Sequence, residues 1–581
     1  MCNKKLNVAA VSPKLYLGNV SKNCIEIINI LENLKGNNVD VVAFPELCLC
    51  GHTCGDMFFH PTLTNACNKA ISDIIEYSKS HPAHIVIGSP IFHNSKLYNC
   101  AIHIYNGEII QIVSKNLLSA AEKRWFSTDY RVINSESLFN IIVGEDFYSY
   151  NSPSNFIVNI SAVPALVTRY DYHKSFVEKY TENRNCAYLY ASAGANESTT
   201  DYVYSGACLI AENGIIKSEG KRFSFDSEVI INEIEIKEVR YDISPININK
   251  YTVDENDTHP FIPSNKKELQ NRCEEIIQIQ SCGLAKRMLH IKCNKLVLGI
   301  SGGLDSTHAL LISVETLKKL NIPVKNLICI TMPGFGTTDL TYTNACNLVK
   351  SLGATLIEIN IKDACLQHFK DIGHDADSHD VTYENTQARE RTQILMDYAN
   401  KIGALVVGTG DLSELALGWC TYNGDHMSMY GVNGSIPKTL MRYLVRHIAD
   451  KSDESTSKTL YSVLDTPVSP ELLPLDKNGN IMQKTENTIG PYDVHDYYIY
   501  HFVRHHKIPS ELLRMSVNAF KGSYTEEELK NWFSIFIKRF FNNQFKRSCL
   551  PDGVAVGTVS LSPRGSFILP SDFSYDEWLK F

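Results

Sequence analysis

The chain has 581 residues, of which 44% are hydrophobic and 21% charged, and its formal net charge is −8. That length exceeds a single hydrophobic core and requires two or three domains, while the ordinary composition excludes a disordered or fibrous chain. The acidic balance offers no broad positive field for nucleic-acid phosphates, so nucleic acid is excluded as a main partner.

From residue 6 the sequence alternates short apolar runs with helical patterns, the signature of a layered α/β domain. Residues 6–11 (LNVAAV) predict a strand, residues 23–34 a helix, and residues 39–44 (VDVVAF) a second strand that ends at Pro45 and Glu46. Further strands are expected at residues 83–88, 101–105, 156–160 and 187–192, with a hairpin turn at Glu212, Asn213 and Gly214. The first domain is drawn at residues 1–237. A polar, proline-punctuated stretch at residues 238–265 reads as a linker. A second α/β pattern, residues 266–581, begins with an amphipathic helix near residues 269–289. The strand KLVLGI, a helix at residues 305–320, the strand LICITM and another helix before Leu352 follow, which predicts a doubly wound parallel sheet. Residues 450–496 are rich in Ser, Asp, Lys and Pro and read as loops, and residues 524–545 return to a helical pattern.

The 17 cysteines lack paired zinc spacing, although Cys48, Cys50 and Cys54 lie close together, and they read as reduced thiols. The apolar run at residues 6–11 is too short for a signal-peptide core. No stretch approaches the roughly 20 apolar residues of a membrane helix. The expected location is the cytoplasm, with no membrane partner.

The most informative motif is LGISGGLDST at residues 298–307, where an apolar strand gives way to a helix. Gly302 and Gly303 let backbone N–H groups approach phosphate oxygens, and the helix turns its positive end toward the anion. Ser301 and Ser306 add hydroxyls. Asp305 repels bare phosphate, so a divalent cation, magnesium, is expected between them. The spacing is not that of a Walker loop. It resembles the SGGxDS loop of the N-type ATP pyrophosphatases, which cut ATP between its α and β phosphates.

Further segments narrow the resemblance to the NAD synthetases in their long two-domain bacterial form. These are MPGFGTTDLTYTNA from Met332, YENTQARERTQ from Tyr383, VVGTGDLSELALGWCTYNGD from Val406, VNGSIPKTL from Val432, QFKRSCLPDG from Gln544 and SLSPRGSF from Ser560. The resemblance implies that Gly299, Ile300, Ser301, Gly302, Gly303, Leu304, Asp305, Ser306 and Thr409 bind ATP, with Lys438 a further phosphate contact. It sets Asp305 and Glu414 beside magnesium. Asn385, Glu414, Trp419, Cys420, Thr421, Tyr422 and Lys546 match positions that bind deamido-NAD. The implied reaction is ATP-dependent amidation of deamido-NAD to NAD through an adenylated intermediate, with AMP and pyrophosphate released.

The first domain resembles the nitrilase, or carbon–nitrogen hydrolase, superfamily, with an αββα sandwich, which supplies ammonia from glutamine in the long synthetases. FPELCLCGHTCGDMF gives Glu46 the general-base role, SKNLL gives Lys115 the lysine role, and YASAGANESTTDYVYSGACLIAENG extends the likeness. The family's cysteine directly precedes a Glu-Asp pair at a strand end. Here NIIVGEDFY puts Gly144 before Glu145 and Asp146. Glycine forms no thioester, and losing the nucleophile of a catalytic triad lowers turnover on the order of a millionfold. The interval from Lys115 to Gly144 is also shorter than the family norm. Arg169 fits a glutamine-binding arginine, whereas Val163 stands where a serine is expected and supplies no hydrogen bond.

Ammonia is therefore the expected nitrogen donor, and the first domain is expected to persist as a scaffold for a homo-oligomer. The alternative is glutamine-fed synthesis with another nucleophile, for which Cys48 is the candidate. A GMP- or asparagine-synthetase reading conflicts with the nitrilase-like first domain. A silent assembly protein conflicts with the intact phosphate loop.

Overall fold

The computed structural model describes residues 4–135, 137–150, 155–236, 254–466, 472–473 and 485–581. The chain divides into two compact units, Met1–Ser198 with Val203–Tyr251, and Thr199–Tyr202 with Thr252–Phe581. Much of the expected linker, residues 238–253, lies outside the described residues, as does residue 237.

The first unit is the expected αββα sandwich. A seven-stranded sheet runs in the order Glu228–Ile236, Lys4–Ser12, Val41–Ala43, His84–His93, Lys96–Tyr105, Glu108–Ser114, Arg131–Ile133. A five-stranded sheet has the order Ile215–Glu219, Cys208–Glu212, Ala187–Ser192, Phe156–Ser161, Asn140–Val143. Strand periodicity explains the layering, because alternate side chains face opposite ways. In Lys4–Ser12, Leu6, Val8 and Ala10 join the core between the sheets. Ala9 and Val11 instead meet helices Val20–Leu34 and Pro61–Ser78. In the second sheet Ile141 and Val143 face the inner core, while Ile142 packs with Phe176 and Tyr180 of helix Arg169–Arg184. The expected hairpin is present. Asn213 and Gly214 both take positive φ, +50° and +82°, as a two-residue turn with strand-matched twist requires.

The second unit is built on a parallel sheet in the order Thr355–Glu358, Leu327–Thr331, Leu296–Gly299, Leu405–Gly408, Tyr430–Gly431. The first strand in sequence is central, so the winding reverses between Leu296–Gly299 and Leu405–Gly408. Ligands of doubly wound sheets bind at such a reversal. A helical layer of Tyr492–Ile499, Pro509–Ala519 and Glu526–Asn542 closes around Phe533, Phe536 and Phe540. Residues 199–202 belong to this unit: Thr199 Oγ1 donates to the Gly283 carbonyl (3.1 Å), and Asp201 pairs with Arg564 (3.1 Å).

The loop expectation for residues 450–496 is corrected. Helix Glu454–Asp465 occupies part of it, capped by Asp453, whose carboxylate accepts from the Ser455 and Thr456 N–H groups. Leu460, Val463 and Leu464 bury one face of that helix. Among the residues that read as loop, Asp453 is its cap, and Ser455 and Lys458 lie on its exposed side. Residues 467–471 and 474–484 of the same stretch lie outside the described residues. Among the described residues, no helix is long and apolar enough to cross a membrane.

Candidate functional site

In the first unit the sequence-identified Glu46, Lys115 and Gly144 come together beyond the ends of strands drawn from both sheets. Glu46 is buried, and each of its oxygens is engaged. Oε1 accepts from Asn99 Nδ2 (2.6 Å) and Lys115 Nζ (2.9 Å), and Oε2 accepts from the Ala162 N–H (3.0 Å). Lys115 also donates to Glu122 Oε1 (2.6 Å), and the Ser119 N–H fixes that carboxylate's other oxygen (2.8 Å). Burial disfavours the Lys115 ammonium, but Glu46 and Glu122 outweigh it and hold its pKa above the usual lysine range. Glu122 and Asn99 went unnoticed in the sequence. Glu122 has no motif around it, and its only signal was an acid seven residues after the lysine.

Gly144 follows strand Asn140–Val143 with φ +61°, a left-handed conformation that glycine adopts without strain. A Cβ built there would lie 2.8 Å from Lys115 Cε, 3.0 Å from its Nζ and 3.1 Å from Glu46 Oε2. Position 144 therefore faces the carboxylate and the ammonium together. Arg169 pairs with the next residue, Glu145 (2.6 Å), and Asp146 accepts from the Asn116 and Leu117 N–H groups, tying this turn to the lysine loop. Cys48 is engaged elsewhere: its Sγ meets the Gly88 carbonyl (3.5 Å) and N–H (3.4 Å), and burial pushes its thiol up to about 12. Among the described residues, the hydrogen bonds and ion pairs of Glu46 and Lys115 involve no cysteine.

In the second unit the loop after strand Leu296–Gly299 turns through Gly302, at φ +83°, into helix Leu304–Lys319. A Cβ on Gly302 would lie 2.0 Å from the Thr341 carbonyl oxygen, so only glycine permits this path. Gly303 caps the helix without a side-chain hydrogen bond. The Ser301 and Ser306 hydroxyls are 3.1 Å apart at the mouth of the turn. Asn433 donates to the Asp305 and Thr409 carbonyls (3.0 Å each), locking the loop after the neighbouring strand against the phosphate turn.

Beside it stands a cage of carboxylates. Oxygens of Asp305, Asp411 and Glu414 lie within 4.8 Å of one another. The buried Lys438 ammonium bridges them at 2.7, 2.5 and 2.9 Å respectively. Burial, followed by repulsion from Asp305, lifts the Glu414 carboxyl to about 7. Burial likewise raises Asp411 well above the carboxylate range. Asp411 was missed in the sequence; it also caps helix Leu412–Leu417, accepting from the Glu414 N–H (2.8 Å).

Helix Leu412–Leu417 carries Glu414 to the cage and leads straight into the residues expected to meet deamido-NAD. Thr421 Oγ1 donates to Asn385 Oδ1 (2.8 Å), and Arg539 lies over the Trp419 ring, 4.8 Å from its centroid. Lys546 donates to the Gly418 and Cys420 carbonyls (2.7 Å each). The Tyr422 side chain is 43% exposed and packs beside Phe545. Lys546 thus braces the 418–422 turn. A cleft lined by Gly408, Gly410, Ser428, Gly431 and Gly434 opens at this end of the sheet.

Residues 276–537 match the family model described as NAD synthase, and residues 7–242 match the one described as carbon-nitrogen hydrolase. A glutamine-dependent NAD(+) synthetase of Mycobacterium leprae is 31% identical, the alignment covering 99% of this chain and 97% of that protein. Another from Aquifex aeolicus is 25% identical over 94% of this chain and 96% of its own. Among solved structures, a glutamine-dependent NAD(+) synthetase from Cytophaga hutchinsonii superposes with a TM-score of 0.79 at 21% identity, covering 98% of each chain. One from Acinetobacter baumannii, solved with adenosine diphosphate, gives 0.68 at 20% identity and 99% of each chain. The two structures establish the shared fold. Given a relative matched over nearly the whole of both chains, and each half matched by its own family model, the chain belongs to the glutamine-dependent NAD(+) synthetase family.

Proposed function

We propose that the second unit performs ATP-dependent amidation of deamido-NAD to NAD, with ammonia as the nitrogen donor. The protein is a ligase that forms a carbon–nitrogen bond, as its family membership implies. The nicotinate carboxylate attacks the α-phosphorus of ATP and pyrophosphate departs. Ammonia then adds to the acyl-adenylate carbonyl, AMP leaves, and the carboxamide remains. The observation that carries the reading is the meeting of a glycine turn, a carboxylate cage and the 418–422 turn at the C-terminal ends of the strands of a single sheet.

The chain's residues divide this work. Backbone N–H groups of the 301–303 turn and the uncapped start of helix Leu304–Lys319 suit phosphate oxygens. The Acinetobacter relative was solved with adenosine diphosphate, which supports nucleotide binding in this family. Asp305 and Glu414 fit a magnesium ion, being hard carboxylate donors outnumbering the single ammonium beside them. When bound, that ion neutralises polyphosphate charge and polarises the α-phosphate. Thr421 and Asn385, hydrogen-bonded to each other and braced by Lys546, would hold the deamido-NAD partner.

The donor is read from Gly144. The position that faces both Glu46 and Lys115 carries no thiol to take glutamine's acyl group. A second reading, glutamine-fed synthesis through another nucleophile, is favoured by the relatives, which are named glutamine-dependent. On the comparisons alone that reading stands ahead; the geometry at Gly144 and the engaged Cys48 thiol favour ammonia. Treating the full chain with an electrophilic glutamine analogue and mapping adducts by mass spectrometry separates them. The ammonia reading expects no saturable adduct in the first unit, and stoichiometric labelling of a cysteine there would overturn it.

A further inference from the structure

Lys438 occupies a position where its own helix gives it no support. It is the first residue of helix Lys438–Ala449, and a cation at a helix N-terminus opposes the macrodipole. Its ammonium is nonetheless sealed from water, the side chain 2% exposed, and held by three carboxylates at once. Those carboxylates are not equivalent. Asp305 and Glu414 are 25% and 18% exposed, whereas Asp411 is wholly buried at 0%. Asp411 is further fixed by the Glu414 N–H, and the Lys438 N–H by Ser413 Oγ (2.9 Å). Two partners can thus be reached from outside, and one cannot.

We propose that Lys438 is a built-in counter-cation, anchored on Asp411, that closes Asp305 and Glu414 to a bare divalent ion until nucleotide arrives. A metal entering alone must displace the ammonium from two of its three partners and leave it against Asp411 only. A nucleotide brings phosphate oxygens that take up the displaced ammonium, so metal and nucleotide enter together. Asp411, sealed from solvent and paired with the ammonium, is a positioning residue acting through Lys438. The proposal rests on the reading of this cage as a metal-nucleotide site.

Electron paramagnetic resonance of Mn2+ binding to the full chain, without nucleotide, tests it. Wild type is expected to bind Mn2+ weakly, and Lys438→Met and Lys438→Gln at least about tenfold more tightly, the size of an ordinary coupling between sites. The glutamine variant, one atom shorter than lysine, keeps a hydrogen-bond donor should the methionine variant fail to fold. Asp411→Asn, which leaves the lysine its two outer partners, is expected to show no tightening. A merely structural lysine lowers stability without raising metal affinity, so equal Mn2+ affinity in wild type and a folded Lys438 variant overturns the proposal. Tightening in Asp411→Asn equal to that of the lysine variants overturns the anchoring role. Wild type is measured in parallel with Mn2+ and ATP: absence of binding there overturns the underlying reading of the site.

Discussion

Each unit buries a lysine among carboxylates, yet the two clusters differ in what they leave open. In the first, the side chains of Lys115, Glu46 and Glu122 are 5%, 0% and 6% exposed, every charge has a protein partner, and the position facing them is a glycine. In the second, two of the three carboxylates reach solvent beside a glycine turn and an uncapped helix end. A closed, mutually satisfied ion cluster is a structural element, and removing one member leaves a buried charge unpaired. A cluster with carboxylates in excess and an open side has capacity for a ligand. The contrast supports the proposed division, with ligation chemistry in the second unit and framework in the first.

Breaking the contrast should therefore give opposite results. Asp305→Ala is expected to lower ammonium-driven NAD formation on the order of 10²–10³-fold, the usual loss when a charge-stabilising group is removed, read as AMP release. Glu46→Gln in the same assay should leave the rate unchanged; a comparable fall there would break the division of labour. For stability the order reverses. Lys115→Met should cost the first unit about 3 to 5 kcal/mol, seen in its thermal transition, with ammonium-driven turnover below that transition retained.

Gly302→Ala forces a left-handed residue and a backbone clash at the phosphate turn. A penalty of about 1–3 kcal/mol is expected, appearing as weaker ATP binding by calorimetry. The smallest effect is a pH dependence. In the first unit His84 Nδ1 and His103 Nε2 are 2.9 Å apart, and burial lowers their pKa values to about 4 and about 3 from 6.5. Between these limits the unfolded chain binds more protons than the folded one, so stability rises with pH and is lost as pH falls from 6.5 toward 4. Replacing both with glutamine should flatten that acid limb in denaturant titrations.

What the sequence disclosed follows the range of the interaction involved. The strand-turn-helix at Gly302 is local, so its glycines, serines and Asp305 were legible, as were the alternating strands and the Asn213-Gly214 hairpin. The pairings that complete each cluster were not, although Lys438 itself was read as a phosphate contact. Asp411 and Lys438 join Asp305 only because the sheet reverses its winding there, and Glu122 reaches Lys115 through a short irregular turn. Helix Glu454–Asp465 was obscured because its solvent face and cap share the composition of a loop. Gly144 was legible from its neighbours Glu145 and Asp146, but its approach to both charges required the assembled strands.

The most direct measurement supplies the intact protein with deamido-NAD, ATP and magnesium, and compares initial rates of NAD formation with ammonium and with glutamine as donor. A first unit without an acyl-accepting thiol predicts turnover with ammonium and only background with glutamine. Glutamine-driven rates equal to those with ammonium, in an ammonia-free preparation, would contradict it.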